Sequence, residues 1–289
     1  MDQPRPALAT AREPPRRELV LRILSAIVLA PLAVGVAWLG GWAFFAFWML
    51  AAWGILHEWR RIVGDPAATH VGLGECALLA AGIAAMVGFG GVAALIALYG
   101  AAVEWLASPP GSARSWVASG IVYAVALPIA CILLRADPHY GFLAILFLFA
   151  VTWATDILAY FAGRLVGGPK LWRRVSPNKT WSGAIGGVCG AVAAGLAVTH
   201  LAVTNGAGIP NSLAVGGLAL LLSVASQAGD LFESALKRRF GVKDASHLIP
   251  GHGGIMDRLD GFLAAAVLAA VIGIARGGMD AAARGLLVW

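Results

Sequence analysis

Long apolar runs, broken by short polar or Gly/Pro-rich stretches, recur along the whole chain. They predict nine helices over residues 23–40, 42–59, 73–89, 92–107, 116–134, 140–164, 182–204, 212–236 and 259–276. Each run approaches the roughly 20 residues needed to cross a hydrocarbon core of about 30 Å. Only Gly90 and Gly91 separate the third run from the fourth. The pattern predicts an all-α fold, a polytopic transmembrane helix bundle of about nine spans. Residues 18–289 are expected to form one integral membrane domain, with the charged positions of chemical interest in its half at about 140–276. The preceding residues, 1–17, are rich in Pro and Arg without a hydrophobic pattern and read as a disordered tail. Arg16-Arg17 resembles an export signal, but the run behind it is too long for one and further spans follow, so it reads as a first transmembrane helix.

Composition agrees with lipid as the main solvent. Of 289 residues 60% are hydrophobic and only 12% charged, against about 25% charged in soluble domains. Cys76, Cys131 and Cys189 lie far apart in apolar runs with no CxxC spacing, and read as small core residues. The net charge of +6 comes without an aromatic-interleaved basic patch, so it speaks for topology and anionic headgroups and against a nucleic-acid partner.

An odd number of spans places the termini on opposite sides. With the N-terminus in the cytoplasm, 18 of the 21 Lys and Arg residues fall inside, leaving Arg135, Arg276 and Arg284 outside. The expected location is a bacterial-type inner (cytoplasmic) membrane with the site facing the cytoplasm. No internal repeat is visible, which weakens a transporter reading. Gly183/Gly187 and Gly186/Gly190 are overlapping GxxxG spacings, suited to packing within the bundle or to dimerisation.

Ionisable residues inside spans are costly and mark function by default. Glu58, Glu75 and Glu104 lie near span ends, where snorkelling suffices. Asp156 shares a helix face with Tyr160 and Gly163; the structural alternative is a buried Asp–Arg or Asp–Tyr pair. Asp230, Glu233, Ser234 and Lys237 form one polar stripe at the end of the eighth helix. Asp257 and Asp260, three apart, share a face if Asp257 opens the ninth. Asp230 with that pair suits a hard divalent cation such as Mg²⁺. His252, set among glycines, reads equally as a structural residue or as one close to a ligand. On the same face, the loop 167–180 carries Lys170, Arg173, Arg174, Ser176, Lys179 and Thr180, the donors an anionic phosphate needs.

Ser234-Ala-Leu-Lys237-Arg238, Lys243-Asp244 and Pro250-Gly-His-Gly-Gly-x-x-Asp257-Arg258-x-Asp260 together closely resemble the signature of the CDP-diacylglycerol synthases, the phosphatidate cytidylyltransferases. The likeness extends to Gly229-Asp230-x-x-Glu233-Ser234, Ser176-Pro-x-Lys179-Thr180 and Asp156-x-x-Ala-Tyr160, and covers the C-terminal half strongly. It implies a CTP:phosphatidate nucleotidyltransferase of phospholipid biosynthesis, dependent on Mg²⁺ and with room for a second cation such as K⁺. Asp230, Asp257 and Asp260 are then metal ligands, and Lys237, Asp257 and Asp260 the catalytic set. Ser176, Lys179, Thr180, Arg238, Lys243, His252, Arg258 and Asp156 would meet substrate. A homodimer among membrane lipids also fits the family. One departure is Ser182, where the family commonly carries a Glu; no role is assigned to it.

The rivals are an ion-coupled carrier, a lipid-alcohol kinase, a CDP-archaeol-type synthase and a structural scaffold. The carrier predicts repeat symmetry, and the scaffold leaves three convergent carboxylates without a purpose. The length of the 234–260 match favours diacyl phosphatidate over the other polyanion enzymes.

Overall fold

The computed structural model describes residues 15–64, 71–108, 111, 113–204, 211–246 and 253–289. Among the described residues nine long helices occupy the nine apolar runs: α1 (Pro15–Leu39), α2 (Gly41–Val63), α3 (Val71–Met86), α4 (Gly90–Ala107), α5 (Arg114–Arg135), α6 (Gly141–Leu165), α7 (Trp181–Thr204), α8 (Ser212–Arg239) and α9 (Met256–Gly277). By length and composition α4 to α9 are apolar enough to cross a membrane, while Ile27–Leu39 and Gly72–Met86 are shorter apolar stretches. α1 opens at Pro15, so the last three residues of the expected tail are already helical.

Two features have no counterpart in the hydrophobic pattern. Between α6 and α7 the basic loop folds into an antiparallel hairpin, β1 (Lys170–Trp172) with β2 (Ser176–Thr180). After α9 the chain turns back through a 3₁₀ turn into α10 (Ala282–Leu287), most of which is buried against α9. Six residues are too few for a periodicity signal.

The interior is packed by side-chain contact, as it must be where surrounding lipid is as apolar as the core. Trp48 of α2 stacks on Phe262 of α9 at 5.1 Å between ring centroids, and Phe149 of α6 closes the group at 5.3 Å from Phe262. α5 runs through the centre, burying Ile121, Ala124, Val125 and Leu127 completely. Of the three cysteines only Cys131 lies in this core; Cys76 and Cys189 sit on outward, apolar helix faces, where a small apolar side chain is equally at home in lipid.

Successive helices reverse direction, and the contacts at each end show it. At one end Arg135, closing α5, donates to the carbonyl of Ala37 near the end of α1 at 2.7 Å. At the other, Arg60 near the end of α2 pairs with Glu75 near the start of α3 at 2.7 Å and with Glu104 near the end of α4 at 3.3 Å. Trp59 of α2 donates to Trp116 O near the start of α5 at 2.7 Å there. The snorkelling expected of Glu58, Glu75 and Glu104 does not occur. These helix ends face one another instead of open rim, so Glu58 and Glu104 are fully buried and each carboxylate takes a partner inside the bundle.

Candidate active site

The end of the bundle that gathers the carboxylates also holds a cavity of about 740 Å³, walled by the last turns of α6 and α8 and the first turns of α7 and α9. Its position follows from glycine placement. A Cβ on Gly229 would lie 2.5 Å from the Asp260 carbonyl oxygen, and one on Gly261 would lie 2.6 Å from Ser226 Oγ. Without side chains there, α8 and α9 meet almost backbone to backbone. The residues next to those two glycines are Asp230 and Asp260, so the closest crossing sets two carboxylates beside each other.

α6 and α7 use the same device. A Cβ on Gly183 would come within 2.8 Å of Ala159 O, and one on Gly187 within 2.9 Å of Thr155 O. Gly186 and Gly190 face Ala162 and Leu158 of α6 as closely. Both GxxxG spacings thus serve packing inside this chain. Asp156 is carried to the cavity on the α6 face that also presents Tyr160 and Gly163, as the spacing predicts. Neither structural alternative is realised among the described residues: Arg164 donates to Tyr160 Oη at 2.6 Å, and Asp156 is exposed toward the cavity.

The hairpin brings the phosphate-type donors across. Thr180 ends β2 and caps α7, its Oγ1 accepting from Gly183 N at 3.1 Å. Ser182 bonds Thr180 at 3.0 Å and donates to Gly167 O, tying the hairpin base to the helix start. The position where the family commonly has an acid is therefore occupied by a strap. Lys179, one residue before the cap, forms an ion pair with Asp230.

The stripe on α8 reaches the cavity complete: Asp230, Glu233, Ser234 and Lys237 all line it. Lys237 Nζ stands between Glu233 Oε2 and Asp257 Oδ1, 2.6 Å from each. Asp257 accepts further bonds from Gly254 N at 2.9 Å and Ala245 N at 3.2 Å. Its lone pairs are thus directed at Lys237 and at the backbone leading into α9. Asp260, by contrast, accepts only from its own neighbour Gly261 N at 2.8 Å among the described residues. Asp156, Asp230 and Asp260 lie close enough to repel one another, with Lys179 and Arg258 as the nearby cations.

Of the residues singled out in the sequence, Asp156, Lys179, Thr180, Asp230, Lys237, Asp257, Arg258 and Asp260 line this cavity. Ser176, Arg238 and Lys243 are not part of its lining, and His252 lies outside the described residues. Asn178 and Gln227 line it without having been singled out. Glu58 was also missed. From α2 its carboxylate accepts from Ile255 N at 2.9 Å, Met256 N at 2.7 Å and Ser246 Oγ, which fixes the start of α9. No short-range pattern links residues nearly 200 apart in sequence.

Among the described residues no three His, Cys, Asp or Glu side chains converge tightly enough to hold a metal ion unaided. The chemistry of the donors still fits Mg²⁺, which binds through one or two carboxylates and completes its shell with water and substrate phosphate. Asp230 and Asp260, side by side on one cavity wall, provide such a pair.

The profile of the cytidylyltransferase family matches residues 20–274. A phosphatidate cytidylyltransferase of Brucella abortus biovar 1 (strain 9-941) is 44% identical over 257 residues, covering 88% of this chain and 93% of its own length. That of Haemophilus influenzae (strain ATCC 51907 / DSM 11121 / KW20 / Rd) is 37% identical over 186 residues, covering 59% and 63%. That of Staphylococcus aureus (strain COL) is 44% identical over 125 residues, covering 43% and 45%.

Proposed function

The chain belongs to the cytidylyltransferase family, and from that premise we propose how its cavity turns CTP and phosphatidate into CDP-diacylglycerol and pyrophosphate. The enzyme is a nucleotidyltransferase of phospholipid synthesis, set in a membrane by its long apolar helices. The reading of the site rests on one observation: five carboxylates, Asp156, Asp230, Glu233, Asp257 and Asp260, line a single cavity at one end of the bundle together with Lys and Arg side chains.

A phosphate monoester has a second pKa near 6, so phosphatidate arrives largely as a dianion and is itself the nucleophile. No side chain has to remove a proton. The barrier is electrostatic, because two polyanions must meet for the lipid phosphate to attack the CTP α-phosphorus in line and expel pyrophosphate.

Lys179 is positioned to exchange its Asp230 partner for a substrate phosphate, and Arg258 offers a second fixed charge at the same wall. Asp230 and Asp260 are the residues that would hold a divalent cation once Lys179 has turned to phosphate. Mg²⁺ bound there would supply charge neutralisation for the phosphates, with Asp156 as a further acid alongside. Asp257 then acts mainly by holding Lys237 at the cavity floor, a role that differs from the ligand role its motif implies. Thr180 positions Lys179 through the α7 cap. A second cation such as K⁺ remains part of this reading through the resemblance alone.

The same reading puts the site at the cytoplasmic face of an inner membrane, with nine crossings and the N-terminus inside. Its support is the 18-to-3 Lys/Arg asymmetry together with the alternation of helix directions. Phosphatidate's headgroup sits at that interface and CTP in the adjoining water. A homodimer, which the resemblance implies, would form on surfaces other than the two GxxxG spacings, since those face α6.

The test is reconstitution of the chain in liposomes with phosphatidate, CTP and Mg²⁺, following CDP-diacylglycerol and pyrophosphate. Formation of both in equal amounts is expected. Absence of turnover with CTP overturns the reading, and equal turnover with ATP redirects it to a kinase.

A further inference from the structure

Next to the polar cavity lies a second concavity of about 360 Å³ of opposite character, walled by α7, α8 and Leu171 of the hairpin. Trp181, Ile185 and Val188 form its α7 side, and Val224, Ala228 and Leu231 its α8 side. Among the described residues that line it, Gln227 is the one amide and none is charged.

Three facts bear on what fills it. First, the two hollows are contiguous, because Leu171, Ala184 and Gln227 line both. Secondly, direction is fixed: the carboxylate end is where α7 starts and α8 finishes, so going from Trp181 to Val188 and from Leu231 back to Val224 leads toward the middle of the bundle. Seven residues at 1.5 Å each make that path about 10 Å long. Thirdly, the groove opens on the outer surface of the bundle, where Trp181, Ile185 and Val224 are each more than half exposed.

We propose that this groove receives an acyl chain of phosphatidate while its phosphate occupies the polar cavity. The inference rests on the phosphatidate reading above and extends it to the lipid tail. A headgroup drawn in among carboxylates and lysine cannot take its hydrocarbon with it, since burying alkyl chain among charges forfeits apolar contact and strands the charges. The tail must leave the polar cavity through an apolar wall, toward the bilayer centre. The groove offers such an exit at the shared residues. Gln227, whose Nε2 donates to Ala184 O at 3.3 Å, stands at the junction, where the glycerol ester region of the lipid would pass.

The test compares dioleoyl phosphatidate with dihexanoyl phosphatidate, whose tails are too short to follow the groove, using the full chain in detergent micelles with CTP and Mg²⁺. Val188→Phe and Ala228→Leu fill the groove without touching the polar cavity. The expected result is a KM for the dioleoyl lipid raised tenfold or more, with KM and kcat for the dihexanoyl lipid unchanged. Unchanged kinetics with both lipids in both variants overturns the proposal and leaves the groove to bulk bilayer lipid. If the enlarged side chains prevent folding, Val188→Ala and Leu231→Ala remove lining instead; they must still raise KM selectively for the dioleoyl lipid, or the proposal is wrong. Wild-type protein that turns over neither lipid speaks against the phosphatidate reading itself, which separates the two failures.

Discussion

Glu58 accepts a hydrogen bond from the backbone N–H of Met256 at 2.7 Å, so a carboxylate on the second helix caps the ninth. The bond crosses between two parts of the chain that the sequence keeps far apart. It also sits one residue from Asp257. Hydrogen bonds to a charged group contribute about 1.5–3 kcal/mol each, and a buried N–H left without a partner is costly. Glu58→Ala is therefore expected to lower the Tm in detergent clearly and to reduce kcat at least tenfold. Glu58→Gln, which keeps one acceptor, should fall between. Thermal unfolding beside turnover checks both, and an Ala variant with wild-type kcat removes Glu58 from the support of the site.

The second prediction concerns the ligand roles. Asp230→Asn and Asp260→Asn should shift the Mg²⁺ concentration for half-maximal turnover upward by at least about tenfold, since even the outer partners of a metal ligand are worth about 10–100-fold. Asp257→Asn should abolish most activity in folded protein while moving that midpoint little, since Asp257 binds Lys237. A large Mg²⁺ shift in Asp257→Asn instead would return it to the metal.

Lys237 separates two acids, Glu233 and Asp257, in a mostly buried setting. Lys237→Met leaves both carboxylates facing each other without the cation. Removing one member of a buried pair costs about 3–5 kcal/mol. Loss of stability is thus expected together with loss of turnover, and adding Glu233→Gln in the same chain should recover part of the stability. Unfolding of the single and double variants provides the comparison.

Gly229→Val and Gly261→Val introduce side chains where no room exists at the α8–α9 crossing. Both should push the helices apart and reduce kcat by about 100-fold, the scale of a 1 Å misplacement of reacting groups. Gly217→Val, on α8 where a Cβ meets nothing within 4 Å, should leave kcat unchanged and serves as the control.

Much of this arrangement is legible in the sequence. Apolar run length places all nine long helices, because lipid demands continuous stretches and polar breaks stand out against them. Helical spacing puts Asp230, Glu233, Ser234 and Lys237 on one stripe of α8 and Asp257 with Asp260 on the first turn of α9, and all six line the cavity. What stayed hidden is relational. The pattern shows that Asp257 is near the site but not that Gly254, Ala245 and Lys237 satisfy its oxygens. It marks Glu58 as a polar residue near a span end, and cannot show that another helix begins against it. The hairpin escapes because only one of its strand residues is buried and they carry no apolar alternation. Ser182 looks like a lost acid in the sequence, yet its hydroxyl ties the hairpin to α7.

The crossing at Gly229 and Gly261 carries one more consequence. A tight seam of the molecule and its reactive carboxylates occupy neighbouring residues, so turnover becomes a gauge of how firmly α8 and α9 are pressed together. Warming, a poor detergent or an ill-matched bilayer that eases α8 from α9 by a fraction of an ångström would silence the enzyme while every helix is still intact. Inactivation should therefore run ahead of the loss of helical circular dichroism.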